Sequence, residues 1–383
     1  SKNRRIPSKY RADRLLPSGS RRCDFEIERC IFMEANEIKT MRFGVLTQKG
    51  HAEVRERPLP EMGPEEVLVK QQACNICTTD YQQWLGLREG RGYPMASGHE
   101  SAGTVVAVGE AVKDLHPGDL VSLAYVTCGI CDGCKRGLGC DNNEIGPKKI
   151  SWDGYRGMFA YADYAVRPAR ALIKMNRTLD PSEAAFMEPL AAVVKGLEKL
   201  RVKPLETVVV VGAGTMGLLN AQAARAMGCR VLVSELMENK LQAAREMGFP
   251  VIDGGKCDPV EEVKRLTDGK GADAVILAVA ASKANAQALE MIRKLDGRVL
   301  FFGAGYPAPT LDVDSNAIHY RRMELIGTFG ADLRDFCVAA DMLNSGAVKV
   351  GALLEKNRYP LDRIQEAFAE AATPGKYRVS VLL

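Results

Sequence analysis

Along the chain the hydrophobic positions keep two rhythms. From Glu65 to about Pro168 they come in brief β-branched runs, EEVLVKQQA, GTVVAVG, GDLVSLAYV and FAYADYAVRP, each closed by Gly or Pro. Such punctuation predicts short strands and turns in a compact β-rich unit. MRFGVLTQKG and HAEVRERPLP ahead of it read as a hairpin turning at Gly50. From Pro189 the rhythm changes. Buried strands at 207–212, 230–235, 273–279 and 297–303 alternate with helical periods such as NKLQAAREMG. That alternation predicts βαβ units of a doubly wound parallel sheet. After about Gly327 a mixed pattern returns and closes on the strand YRVSVLL. The expected organisation is an α/β protein: a β-rich domain over 41–188, a nucleotide-type domain over 189–323, and a return to the first domain over 324–383.

Residues 1–40 lack a sustained apolar period and are expected to be disordered, an extension ahead of a start at Met33 or Met41. They also distort the charge. Residues 1–22 carry eight Lys and Arg against Asp13 alone, so the remainder of this +4 chain is net negative, at −3. A basic nucleic-acid face is therefore not expected in the body. The richest apolar run, AVILAVAA at 274–281, falls far short of the roughly 20 residues that span a bilayer, so no membrane segment is expected. Eleven cysteines in a 383-residue chain with no apolar secretory signal do not suit a disulfide scaffold. Four of them crowd into 128–140, which predicts metal binding in a reducing compartment, the cytoplasm.

Three motifs carry chemistry. GAGTMG, spanning Gly212, Gly214, Thr215, Met216 and Gly217, follows a four-valine strand and opens a helical period. The first glycine serves the tight turn, the second close approach of a pyrophosphate, and the third helix-on-strand packing. Glu235, ending the next strand, is placed to accept from ribose hydroxyls and to repel a 2′-phosphate, which predicts NAD over NADP. Lys240 nearby would soften that discrimination. Cys128, Cys131, Cys134 and Cys140 in CGICDGCKRGLGC have the spacing of a closed four-thiolate zinc site. CxxCxxC also opens iron–sulfur runs, but the fourth cysteine here follows five residues and precedes Asp141, not Pro, which favours zinc. Finally, CNICTTD and YPMASGHESAG place Cys77 and His99 beside Thr79 and Glu100, borderline-soft ligands next to groups able to move protons. Either ligand alone reads as structural. That reading weakens because one enzyme chemistry needs all three motifs.

From about residue 41 to 383 the sequence resembles the zinc-dependent medium-chain dehydrogenases of the alcohol, sorbitol and threonine dehydrogenase group. GHESAGTVVAVGEAV is similar to the family's zinc signature, and NICTTD stands where the family has GICGTD or GICGSD. The resemblance implies a GroES-like catalytic domain joined to a Rossmann domain, catalytic and structural zinc, NAD, and a homodimer or homotetramer. It implies that Cys77 and His99 are catalytic zinc ligands, with Glu188 of AAFMEPLA as third ligand and Glu100 as an alternative or transient one. The implied reaction is oxidation of a secondary alcohol or polyol, sorbitol- or inositol-like, with Thr79 relaying the proton and Glu100 or Glu188 receiving it. L-threonine 3-dehydrogenase is the nearest alternative. A zinc-free NADPH reductase and a non-catalytic nucleotide-binding protein are the others. Several positions depart from the family pattern. The cysteine lobe is two residues short, Thr78 replaces a glycine, and Gln82 stands where relatives carry a relay histidine. Gly330 lies where sorbitol dehydrogenases carry a substrate-binding arginine and threonine dehydrogenases have glycine. His51, His116, His319, Cys74 and the Arg321–Arg322 pair read as scaffold or solvated surface.

Overall fold

The computed structural model describes residues 38–142 and 150–383 apart from positions 89 and 91. The expected extension lies outside the described residues as far as 37, and the first strand begins at Thr40. β1 (Thr40–Gln48) and β2 (His51–Pro58) form an antiparallel hairpin with Gly50 at φ 74° in its turn. There follow β3 (Glu66–Asn75), β4 (Glu100–Val108), β5 (Leu120–Leu123), β6 (Tyr164–Pro168) and β7 (Leu172–Lys174). The second domain holds β8 (Thr207–Val211), β9 (Arg230–Glu235), β10 (Val251–Asp253), β11 (Ala274–Leu277), β12 (Arg298–Phe301) and β13 (Glu324–Gly327). β14 (Leu354–Pro360) and β15 (Arg378–Leu382) then return to the first.

The catalytic-side sheet has the order β14-β15-β3-β4-β5-β7, with β6 also pairing β3. β3 is buried at consecutive positions, Val67, Leu68 and Val69 and again Ala73, Cys74 and Asn75, so both of its faces are covered there and its apolar residues run on instead of alternating. The second sheet is fully parallel in the order β10-β9-β8-β11-β12-β13, a doubly wound topology with its crevice beyond the carboxyl ends of the strands. Gly217 makes that crevice possible. A Cβ on it would lie 1.8 Å from the Gly212 carbonyl oxygen, so only glycine lets the helix Thr215–Ala226 lie this close to β8.

Two boundaries differ from the sequence expectation. β13 pairs parallel with β12, so the chain does not leave the nucleotide domain at 324; it rejoins the first sheet only at β14. A four-residue edge strand of mixed burial, ELIG, has no rhythm of its own, and its membership is decided by pairing. The break at 188/189 also falls inside one helix, Met187–Leu200, because Pro189 sits in the first turn, where its missing N–H costs no helical bond. That helix packs its buried face between the two sheets and is common to both.

Asp119 closes the turn before β5. It accepts from the His116 backbone N–H at 2.9 Å, and pairs with Lys174 at 2.7 Å and Arg177 at 2.8 Å, tying the turn to the end of β7. Burial alone would push its carboxyl up, but the hydrogen bonds from Lys174, Arg177 and His116 outweigh it and hold the group below the usual range. Asp119→Asn should therefore cost about 1–2 kcal/mol at neutral pH. A depressed folded pKa gives stability that is full above the unfolded value, about 3.9, and lost as pH falls through the folded one. Denaturant unfolding should show the gap between variant and wild type closing below about pH 4.

Candidate active site

Strand register assembles the first site. Asn75 at the end of β3 pairs with Glu100 at the start of β4, and Ser380 of β15 pairs with the same Asn75. Cys77, two residues past β3, His99, just before β4, and Arg378, opening β15, therefore meet at one end of the sheet. Cys77 is also the N-cap of the helix Thr78–Trp84. Its ligand atom, that of His99 and that of Glu100 lie within 4.8 Å of one another. Asp80 braces this group: it lies 3.6 Å from His99 Nδ1 and accepts from the Tyr161 hydroxyl at 3.2 Å and from the Gly98 backbone N–H at 3.3 Å. A carboxylate on Nδ1 leaves Nε2 of the imidazole for a metal, the arrangement that orients histidine ligands. Burial pulls the His99 pKa down, but Asp80, Cys77 and Glu188 more than reverse it, raising it well above normal.

Two carboxylates face the cleft differently. Glu100 is fully buried and gives both oxygens to Arg378, at 2.7 and 2.9 Å. Desolvation pushes its carboxyl up to about 7 against the opposing pull of Arg378. Glu188, 5% exposed on the helix Met187–Leu200, accepts a short hydrogen bond from the Tyr125 hydroxyl and stands outside the three-atom cluster. Burial, and then the charge of Glu188, raise the Tyr125 pKa well above normal. The cleft, about 190 Å³, is lined on this side by Cys77, Thr79, His99, Glu100, Tyr125 and Glu188. Across it stand Phe302, Thr328 and Phe329, which leave the carboxyl ends of β12 and β13, with Met216 from the glycine turn.

That turn is built as its motif requires. Gly212 holds φ 100°, and a Cβ on Gly214, the N-cap of its helix, would meet nothing within 4 Å, so the backbone face is open to a ligand. Glu235 accepts from Ala213 N at 2.7 Å with one oxygen, and from Leu236 N and Met237 N at 2.6 and 3.1 Å with the other. Lys240 is buried with no hydrogen-bond partner for Nζ among the described residues, and Nζ lies 3.2 Å from the centroid of the Tyr377 ring. Desolvation lowers its pKa to about 8. Tyr377 in turn donates to the Ala213 carbonyl at 3.2 Å.

All four lobe cysteines come together. Cys128 and Cys134 sulfurs are 3.8 Å apart, and those of Cys131 and Cys140 are 3.9 Å apart. Tetrahedral zinc with bonds of about 2.3 Å separates its sulfurs by about 3.8 Å, so the lobe fits the ion. The short spacing to Cys140 is accommodated by Gly137 and Gly139 at φ 70° and 86°. Backbone N–H groups of Cys131, Cys134 and Asp141 point at thiol sulfurs, as a thiolate set needs. The Cys77–His99–carboxylate group fits a zinc site that keeps one position open toward the cleft. Asp80, Tyr125, Tyr377 and Arg378 were not among the residues singled out from sequence. Only Asp80, three residues after Cys77 in CTTD, left a local signal.

Known proteins match this arrangement. Residues 63–177 fit the model of the alcohol dehydrogenase GroES-like domain, and 215–345 that of a zinc-binding dehydrogenase. Over 334 residues the chain is 32% identical to L-threonine 3-dehydrogenase of Pyrococcus horikoshii, covering 84% of this chain and 92% of that relative. The chain belongs to the zinc-dependent medium-chain dehydrogenase family. It is also 30% identical over 328 residues to a sorbitol dehydrogenase of Halalkalibacterium halodurans, covering 83% of this chain and 92% of the relative. A solved zinc-binding dehydrogenase of Sinorhizobium meliloti bound to NADP is similar at 28% identity and a TM-score of 0.78, over 90% of this chain and 99% of that one. The dehydrogenase is thus an oxidoreductase of alcohol-type substrates that uses zinc and a nicotinamide dinucleotide. No helix among the described residues is long and apolar enough to cross a membrane.

Elemental analysis of the fully loaded dehydrogenase should find two zinc ions per chain. Cys140→Ser should remove one and lower Tm by several degrees, because metal binding at a closed site is folding free energy. Iron in place of zinc, or a single zinc in loaded protein, would contradict the assignment.

Proposed function

We propose that the dehydrogenase oxidises a secondary hydroxyl of a polyol, sorbitol- or inositol-like, to the ketone, with NAD as hydride acceptor. The observation that carries this is the Cys77–His99–Glu100 group facing, across one cleft, the wall that begins at Met216 of the glycine turn. Zinc held by Cys77, His99 and either Glu188 or Glu100 would supply Lewis acidity that lowers the pKa of the substrate hydroxyl. The chain supplies the rest. Asp80 holds the imidazole, and Thr79, lining the cleft, is the hydroxyl through which the proton leaves, with Glu100 or Glu188 to receive it. A bound nicotinamide would supply the hydride acceptor, so the alcohol would lose one proton to the protein and one hydride to the cofactor. Gly212, Gly214, Thr215 and Gly217 would cradle the pyrophosphate, and Glu235 and Lys240 the adenosine ribose. Thr328 Oγ1, buried on the far wall without a partner among the described residues, offers a polyol a hydrogen bond. Assembly as a homodimer or homotetramer belongs to the same reading.

Threonine oxidation is the second reading, supported by the threonine dehydrogenase relative and by Gly330 in the lining. Arg378, the one Arg or Lys among the lining residues, already gives its fork to Glu100, so a threonine carboxylate finds no unengaged cation among them. That favours the neutral polyol. A substrate panel of polyols, inositols, simple alcohols and threonine with NAD separates the two readings.

His99→Ala and Cys77→Ser should each lower kcat by roughly a thousandfold or more, since the metal's charge stabilisation amounts to several kcal/mol. NADH affinity by fluorescence titration should stay close to wild type, because the nucleotide residues belong to the other domain. Near wild-type turnover in His99→Ala would instead favour a zinc-free reductase.

Glu235→Gln keeps an acceptor for the Ala213 N–H but removes the charge facing a 2′-phosphate. The kcat/KM ratio of NAD to NADP should fall by about tenfold or more in this variant. An unchanged ratio, or wild-type preference for NADP, would overturn the cofactor assignment.

A further inference from the structure

Arg88 is not used by the chemistry above. It follows the helix Thr78–Trp84, and its guanidinium carbon lies 5.0 Å from the centroid of Tyr306, in the loop that continues from Phe302 on the opposite wall. Its Nε donates to Gln82 Oε1 at 2.8 Å. Thr78, which lines the cleft, and Gln82 are four residues apart and share a helix face, so Gln82 continues that wall by one turn, roughly 6 Å. Arg88 and Tyr306 thus bring together side chains from the two domains where both walls run on from the reacting centre.

The guanidinium there has spare capacity. Of its five N–H donors one is taken by Gln82, and the four on the terminal nitrogens find no acceptor, and the charge no carboxylate, among the described residues. The planar fork matches a phosphate in bidentate fashion, and the guanidinium already lies over the Tyr306 ring, a cation–π contact that helps to hold it in place before a ligand arrives. Arg378 cannot serve this purpose, being engaged by Glu100.

We propose that Arg88 determines specificity by binding the terminal phosphate of an alditol phosphate whose secondary hydroxyl is oxidised at the Cys77–His99 centre. The proposal rests on the polyol dehydrogenase reading and narrows its substrate class. A linear polyol carries its terminal phosphate several bonds from the reacting carbon, which suits a cation one helical turn beyond the inner wall. Threonine, with its carboxylate two bonds away, is too short to use it.

The test compares alditols with their terminal monophosphates, arabitol and sorbitol among them, on the zinc-loaded enzyme with NAD. Wild type should favour the phosphorylated member by about tenfold or more in kcat/KM. In Arg88→Ala that ratio should collapse toward unity, mainly through KM for the phosphate ester. Arg88→Lys should restore part of it, as a point charge without the fork. Calorimetric titration of the alditol phosphate into the enzyme–NADH complex should show the same Arg88 dependence without turnover. Wild type with no preference, Arg88→Ala lowering both members of a pair equally, or weaker NADH binding in place of weaker alditol phosphate binding would each overturn the assignment; the last would give Arg88 to the cofactor. Arg88-dependent phosphate binding without oxidation of any alditol would defeat the polyol reading and leave the anion site standing.

Discussion

A buried charge pair holds the cleft together. Glu100 has no exposed surface and Arg378 very little, and an ionised carboxylate so placed is tolerable only when its lone pairs are met. Arg378 meets both oxygens and also reaches Cys77 Sγ at 3.8 Å. The pair joins the first residue of β4 to the first residue of β15, on either side of the end of β3, and so pins the corner where Cys77 and His99 stand. Loss of either partner would leave an uncompensated charge in the interior, a far larger penalty than loss of an exposed ion pair.

The same corner carries the second domain. Arg378 Nη2 contacts Met216 Sδ at 3.6 Å, and its neighbour Tyr377 hydrogen-bonds the glycine turn while supporting the buried Lys240 ammonium. One short strand start therefore touches the Cys77–His99 corner, the glycine turn and the buried Lys240. A cation without a hydrogen-bond acceptor among the described residues, its pKa drawn down to about 8 by burial, would gain from any acceptor brought to it. Coupling between cofactor occupancy and the reacting centre would pass through contacts this direct.

Away from that corner the cleft divides into a polar floor and a mostly apolar wall. Tyr125 ties Glu188 to the segment leading into the cysteine lobe, and its ring packs edge-on against Phe336 at 5.1 Å. The lobe thereby reaches the chemistry through a side chain three residues before its first cysteine. Phe302 and Phe329 give the opposite wall its apolar character, with Phe329 exposed at the mouth, so substrate choice is left to a few polar groups.

Features that depend on neighbours in sequence were legible without coordinates. The glycine turn needs particular backbone angles and close approach at Gly212 and Gly217, the thiolate lobe needs its cysteines at turn spacing, and the alternation of strands and helices is a local rhythm. Cys77, His99 and Glu235 could be chosen because each sits at a strand end inside such a motif. Tertiary structure alone decided what those residues touch. Arg378 is 278 positions from Glu100 and Tyr125 63 from Glu188, and no local pattern marks either partner. Strand pairing brings them together, and pairing also assigns β13 to the nucleotide sheet against the expected boundary. Burial then makes each partner obligatory, because a charge removed from water must be met by whatever the fold places beside it.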